Sequence, residues 1–126
     1  MADIKLNFVI ACDNAFVSQG NSSLNLIGIF DRINASAYPL VYPRIMLVTS
    51  LSGMPKSYNQ VISLKDKNSG KIIAELSGKM DILTLGQKAQ FIGSFFNIVF
   101  PNPGEYIFEV RIDDVLQDLN TSIFVK

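Results

Sequence analysis

The stretch Phe95–Ile112, FFNIVFPNPGEYIFEVRI, decides the fold of this chain. Two apolar runs flank the turn Pro101-Asn102-Pro103-Gly104. After the turn, apolar residues occupy every second position: Tyr106, Phe108, Val110 and Ile112. Charged residues lie between them, and this period of two indicates a β-strand with one face toward water. The stretch therefore predicts a hairpin of two paired strands in an all-β protein, and it carries no sign of an activity.

The length and charge of the chain exclude several classes of protein. With 126 residues it is expected to form one domain, residues 1–126, which buries about two thirds of its unfolded surface. Eleven basic and eleven acidic residues cancel without any run of like charge, so we expect no nucleic-acid partner and no membrane partner. A single cysteine, no signal-like N-terminus and no apolar stretch of about 20 residues predict a soluble, cytoplasmic protein.

The hydrophobic content is high for so small a protein. Hydrophobic residues make up 48% of the chain and mean hydropathy is +0.28, while 17% of the residues are charged, against about 25% in an average soluble domain. We therefore expect another copy or a protein partner to cover part of a sheet face or an edge strand. A well-filled core under an uncharged serine and asparagine surface would explain the composition equally well.

Alternating apolar residues and turn signals predict about eight strands and no long helix. The predicted runs are Ile4–Cys12, Leu24–Ile33, Arg44–Leu51, Tyr58–Asp66, Lys71–Met80, Ala89–Phe100, Glu105–Ile112 and a last run ending at Lys126. Gly28 marks a bulge or a close backbone approach within the second run, and Asn14–Val17 is a candidate helical turn. The pattern favours a single-domain antiparallel β-sandwich with immunoglobulin-like or C2-like topology, between which it does not decide.

Most catalytic and cofactor chemistry lacks its residues here. The chain has no histidine, which removes the Ser-His-Asp and Cys-His arrangements and any histidine metal ligand. Cys12 alone cannot hold structural zinc, and the eight scattered glycines form no phosphate-binding loop. We therefore expect no enzyme activity, no catalytic or metal-binding residues and no cofactor.

Carboxylates near strand ends leave one metal hypothesis open. C2-like sandwiches can gather loop aspartates around Ca²⁺, which takes six to eight oxygen ligands. The candidates are Asp13, Asp31, Asp81, Asp113, Asp114 and Asp118. The favoured explanation of the Asp113-Asp114 pair is its turn chemistry between Ile112 and Val115. A calcium-binding or carboxylate-based enzymatic domain stays as the alternative.

Three further features invite a functional interpretation. Cys12 could be a nucleophile, but it continues an apolar strand face and is predicted to be an inert buried thiol. The exposed pair Asp31-Arg32 is a candidate recognition site, with a structural ion pair as the competing explanation. The aromatic cluster is predicted to fill the core, although it could line a ligand pocket: Phe91, Phe95, Phe96, Phe100, Tyr106 and Phe108.

Three segments of the chain together resemble a family. They are Ala11-Cys12-Asp13, then Leu26–Ile33 followed by Pro39, and Phe100–Tyr106 followed by Val110 and Asp113. This "CD…GIFDRI…FPxPGEY" pattern resembles small, uncharacterised, mainly bacterial proteins of similar length, a domain family of unknown function. The resemblance implies a β-sandwich and offers no catalytic residues to transfer. Where a turn glycine commonly follows the aspartate, this chain has Asp114, which leaves the turn type open.

The sequence thus predicts a non-enzymatic binding or assembly module that acts through a sheet face or an edge strand. Its expected partner is another protein or a second copy of the chain, and a structural homo-oligomer in a bacterial or phage assembly is an alternative.

Overall fold

Ten β-strands make up the architecture of the protein. The computed structural model describes residues 4–20 and 22–126. The strands are β1 (Ile4–Val17), β2 (Leu24–Ile29), β3 (Arg32–Ile33), β4 (Leu40–Gly53), β5 (Lys56–Asp66), β6 (Ile72–Ile82), β7 (Lys88–Phe100), β8 (Gly104–Ile112), β9 (Val115–Leu116) and β10 (Thr121–Val125). No helix within the described ranges is long and apolar enough to cross a membrane.

The strands form two sheets that pack face to face, which confirms the predicted β-sandwich. Sheet A has four strands in the order β2-β1-β4-β7. Sheet B has the order β3-β10-β8-β5-β6, with β9 paired to β8. All pairs are antiparallel except the short parallel pair between β3 and β10. The predicted runs Tyr58–Asp66 and Lys71–Met80 form a hairpin of β5 and β6, joined through a turn that ends at Gly70 with φ +75°.

Side chains from the inner faces of both sheets fill one continuous core. Aromatic pairs lie within it, with ring centroids 5.6 Å apart for Phe95 and Phe108 and 4.9 Å apart for Phe100 and Tyr106. One polar pair crosses the core: the Thr49 hydroxyl donates to Gln60 Oε1 at 2.8 Å, and both residues are buried.

The stretch Phe95–Ile112 does not form the predicted hairpin. Its first half belongs to β7, which pairs with β4 in sheet A, and its second half is β8, which pairs with β5 and β10 in sheet B. Residues 101–103 therefore cross from one sheet to the other. The physical reason is that Phe100 and Tyr106 both point into the core, where the edge of one ring meets the face of the other across the two sheets. Pattern alone predicts the strands but not their partners.

The predicted alternation along the first strand is also corrected. A β-bulge between Leu6 and Phe8 shifts the register, so that Leu6 and Val9 both face the core. Phe8 and Cys12 consequently lie on the outer face of sheet A. A bulge inserts one residue and reverses which side chains point inward beyond it. The candidate helical turn Asn14–Val17 is part of β1.

The single strand predicted for Leu24–Ile33 is two strands in different sheets. β2 pairs with β1 in sheet A, and β3 pairs with β10 in sheet B, so the chain changes sheets at Phe30 and Asp31. Gly28 has φ +72° and approaches Asp13 closely, which is the close backbone approach predicted there. This division and the short β9 account for ten strands instead of about eight.

Candidate binding surfaces

The outer face of sheet B is polar and carries ion pairs. Lys65 Nζ lies 2.9 Å from Glu109 Oε2, and Arg111 Nη1 lies 3.9 Å from Glu109 Oε1. Ser63 on β5 donates a hydrogen bond of 2.7 Å to Glu75 on the neighbouring strand β6. This face has the composition of a water-exposed sheet surface.

The outer face of sheet A is apolar instead. A second hydrophobic cluster lies there, separate from the core between the sheets. Its buried members are Cys12, Ala15, Met46 and Val48, and the partly buried residues packed against them are Phe8, Leu24, Leu26 and Ile92. Among the described residues, basic side chains lie at the two ends of this face: Lys5 and Lys88 at one end and Arg44 at the other. We call this surface the apolar face.

A local distortion of β4 and β7 exposes large side chains at one end of the apolar face. Asn97 has φ +50°, so Phe95 and Ile98, three residues apart, both face the core. Phe96 is turned to solvent and is 66% exposed, and its strand partner is Arg44. The exposed cross-strand pair Val41 and Val99 continues the apolar surface beyond it.

The hairpin of β1 and β2 borders the apolar face on the opposite side. The backbone of β2 is irregular at Gly28, where an added Cβ atom would lie 3.0 Å from the Cβ of Asp13 on β1. Arg44 Nη2 donates a hydrogen bond of 3.1 Å to the backbone oxygen of Asp13, which ties the hairpin to β4. Ile29 pairs with Cys12 of the outer cluster and is 64% exposed. Exposed apolar side chains thus lie on both margins of the face.

Cys12 lies under this surface and is fully buried. Burial raises the pKa of its thiol, and the nearby negative charge of Asp13 raises it further, against a smaller lowering by a backbone hydrogen bond involving Asn14. A buried thiol with a raised pKa is a poor nucleophile. The burial agrees with the prediction of a buried thiol, although Cys12 packs in the outer cluster and not in the central core.

The predicted recognition pair Asp31-Arg32 is exposed at the point where the chain changes sheets. Among the described residues neither side chain takes part in an ion pair. The backbone oxygen of Asp31 accepts a hydrogen bond of 2.8 Å from Phe124 N on β10. The recognition role of this pair stays a prediction.

The aspartates of the calcium alternative do not come together. Within the described ranges no group of three or more acidic or cysteine residues is placed to hold a metal ion. Asp113 instead accepts hydrogen bonds from Asn59 N and Lys56 Nζ, both at 2.9 Å, and these lower the pKa of its carboxyl. Asp113 and Asp114 both have positive φ, +49° and +66°, as the two central residues of a type I′ turn require. The turn type left open by the sequence is thereby assigned.

The predicted aromatic core is correct with one exception. Phe91, Phe95, Phe100, Tyr106 and Phe108 belong to the core or pack against it. Phe96 does not, because the distortion at Asn97 turns it outward. Val41 and Val99 are not among the predicted residues, and the apolar face was not predicted as a unit. The signal in the sequence is that neither β4 nor β7 contains a carboxylate.

One comparison with known proteins places the chain in a family. No curated protein matches the chain. The model of a family described as "Family of unknown function (DUF6941)" matches residues 7–125. This match agrees with the resemblance to an uncharacterised domain family. The chain belongs to this family of unknown function.

Proposed function

We propose that the protein is a non-enzymatic, immunoglobulin-like assembly module that binds through the apolar face. The single observation that carries this proposal is the contrast between the two outer faces. Sheet B presents ion pairs to solvent, whereas sheet A presents a hydrophobic cluster flanked by Phe96 and Ile29. Large exposed apolar patches are uncommon on monomeric proteins and mark interaction sites.

Two observations support the immunoglobulin-like alternative over the C2-like one. The order β1-β4-β7 facing β6-β5-β8-β10 corresponds to the order A-B-E facing C′-C-F-G of immunoglobulin-type sandwiches. At the start of β8 the Tyr106 hydroxyl donates a hydrogen bond of 2.6 Å to the backbone oxygen of Asn102, four residues upstream. This is the arrangement of a tyrosine corner, which lies at the corresponding place in immunoglobulin-type domains.

The occupant of the apolar face is a second copy of the chain. A two-fold axis brings the same patch of two copies together, so an apolar centre meets an apolar centre. The formal net charge of zero means that two copies do not repel each other at long range.

Light scattering after size-exclusion chromatography tests this proposal on two matched variants. Phe96→Asp places a carboxylate on the apolar face, and Phe124→Asp does the same at a 44% exposed phenylalanine on the outer side of sheet B. In a two-fold interface the substitution removes two Phe96 side chains, and burying each contributes about 1.5 to 3 kcal/mol to dimer formation. The dissociation constant of the dimer should therefore rise at least about 100-fold. Phe124→Asp should leave it unchanged. A wild-type protein that stays monomeric at all concentrations overturns the proposal.

A further inference from the structure

Among the described residues, one long strand edge of the sandwich has no strand partner. Residues Ile4–Ala11 of β1 pair with β4 on one side, whereas pairing with β2 begins only at Cys12. The last backbone contact on the β2 side is a hydrogen bond of 3.3 Å from Phe30 N to Ala11 O. Because alternate residues of a strand direct their backbone groups to the same side, Val9 directs its N–H and C=O away from β4 as Ala11 does.

A second partly unpaired edge lies opposite the first, across the open side of the sandwich. β10 pairs with β8 along its length, but its other edge meets β3 only at Phe124 and Val125. Thr121–Ile123 have no strand partner on that side among the described residues. The edges of the two sheets thus face each other without joining.

Two cavities lie in a row between these edges. The first, of about 290 Å³, is lined by Val9, Ala11 and Phe30 on one side and by Asp31 and Thr121 on the other. The second, of about 260 Å³, lies between Ile4–Leu6 and Gln117–Leu119. Together they follow the free part of β1 for eight residues, or about 26 Å at 3.3 Å per residue. We call this feature the edge groove.

The shape and charge of the edge groove select its occupant. An unpaired strand edge offers backbone donors and acceptors, whose natural complement is another extended backbone. Gln117–Leu119 lie opposite Ile4–Leu6 across the second cavity, so the occupant we infer is a single extended segment. At one end the exposed carboxylate of Asp31 has no ion-pair partner in the described part of the chain, whereas at the other end Lys5 and Asp118 balance each other in charge.

We propose that the edge groove binds an extended segment of a partner polypeptide, which adds a strand to sheet A beside Ile4–Ala11. The segment alternates apolar residues toward Val9 and Ala11 with outward polar ones, and it places a lysine or arginine against Asp31. The site adjoins the apolar face, because Ile29 and Lys5 border both surfaces, whereas Phe96 lies on β7 at the opposite edge of sheet A.

Peptide selection on the full chain carrying Phe96→Asp tests the edge groove without interference from the apolar face. The probe is a displayed library of random 12-residue peptides. We expect enriched peptides with alternating apolar residues and a basic residue near one end. Amide chemical-shift changes in labelled protein should concentrate at residues 4–11, and N-methylation of alternate peptide residues should weaken binding at least about tenfold, since it removes donors to the strand edge. Methylation of the intervening residues should be tolerated.

Charge reversal at Asp31 provides the second arm. Asp31→Lys should weaken the basic peptides about fivefold, because an exposed ion pair contributes up to about 1 kcal/mol, while Asp114→Lys on the distant β8–β9 turn should not change the affinity. The proposal is overturned if no peptide is enriched, if the shifts map elsewhere, or if N-methylation at every position is tolerated. Protection of the Val9 amide that rises with protein concentration and no peptide would instead identify a second copy as the occupant.

Discussion

Replacing Thr49 by valine tests the polar contact that ties the two sheets together. The Thr49 hydroxyl on β4 donates to Gln60 Oε1 on β5, and both residues are buried. The other polar atom of that amide, Gln60 Nε2, is buried without a hydrogen bond among the described residues. Valine has nearly the shape of threonine, so the substitution removes the donor and leaves the volume of the core unchanged.

The expected cost follows from what is left behind. The net loss of a hydrogen bond is about 1 kcal/mol, and a buried acceptor left without a partner brings the total to about 1 to 3 kcal/mol. Gln60→Leu leaves the buried Thr49 hydroxyl without its acceptor but also removes the unpaired Nε2, so the two effects offset and the free energy of unfolding should change by less than about 1 kcal/mol. The double variant should then be about 1 to 2 kcal/mol more stable than the sum of the two single changes predicts, since neither partner remains unsatisfied.

Urea denaturation of the wild type, both single variants and the double variant measures this coupling. Equal slopes with shifted midpoints would show that stability alone has changed. A Thr49→Val protein as stable as the wild type, or strictly additive effects of the two substitutions, would refute the argument that this bond joins the sheets.

Four further predictions concern the turns and the thiol. Gly28→Ala should lower the free energy of unfolding by about 2 kcal/mol, because alanine disfavours φ +72°, and an unchanged urea midpoint would contradict this. Asp114→Gly should raise the free energy of unfolding by about 1 kcal/mol by relieving positive φ, whereas Asp113→Gly, which also loses the bond from Lys56, should not. The pKa of Asp113 is lowered from 3.8, so its stabilising contribution is complete above 3.8 and is lost as pH falls through the folded value; a carboxyl titration by NMR at or above 3.8 would argue against the turn geometry. Cys12 should react with thiol reagents only as fast as the protein opens, and rapid labelling of the native protein would show that the outer cluster does not bury it.

Local pattern was sufficient to predict most strands but not their partners. The alternation in Tyr106–Ile112 marks β8 because one face of that strand is buried and the other is wet. The pairing of β7 with β4 joins residues that are between 36 (Ser52 and Lys88) and 60 (Leu40 and Phe100) positions apart, and no turn signal records it. Prolines at positions 101 and 103 fit a tight hairpin and a crossing between sheets equally well.

The existence of exposed apolar surface could be predicted from the sequence, but the position of the apolar face could not. High mean hydropathy predicts that some apolar surface is left to cover, and the apolar face is consistent with that. Its place depends on two local distortions, the bulge after Leu6 and the positive φ at Asn97, each of which reverses the side of the sheet toward which later residues point. Single-residue shifts of this kind leave composition and period almost unchanged.

Contacts between copies of the chain test whether the protein self-associates through the apolar face. A filtered nuclear Overhauser experiment on a mixture of labelled and unlabelled protein detects only protons of different copies that lie close together. We expect such contacts between the ring of Phe96 in one copy and the methyl groups of Met46, Ile92 or Ile29 in the other. Contacts from Phe124 and Ile107 on sheet B instead, or no contacts between copies at any concentration, would contradict it.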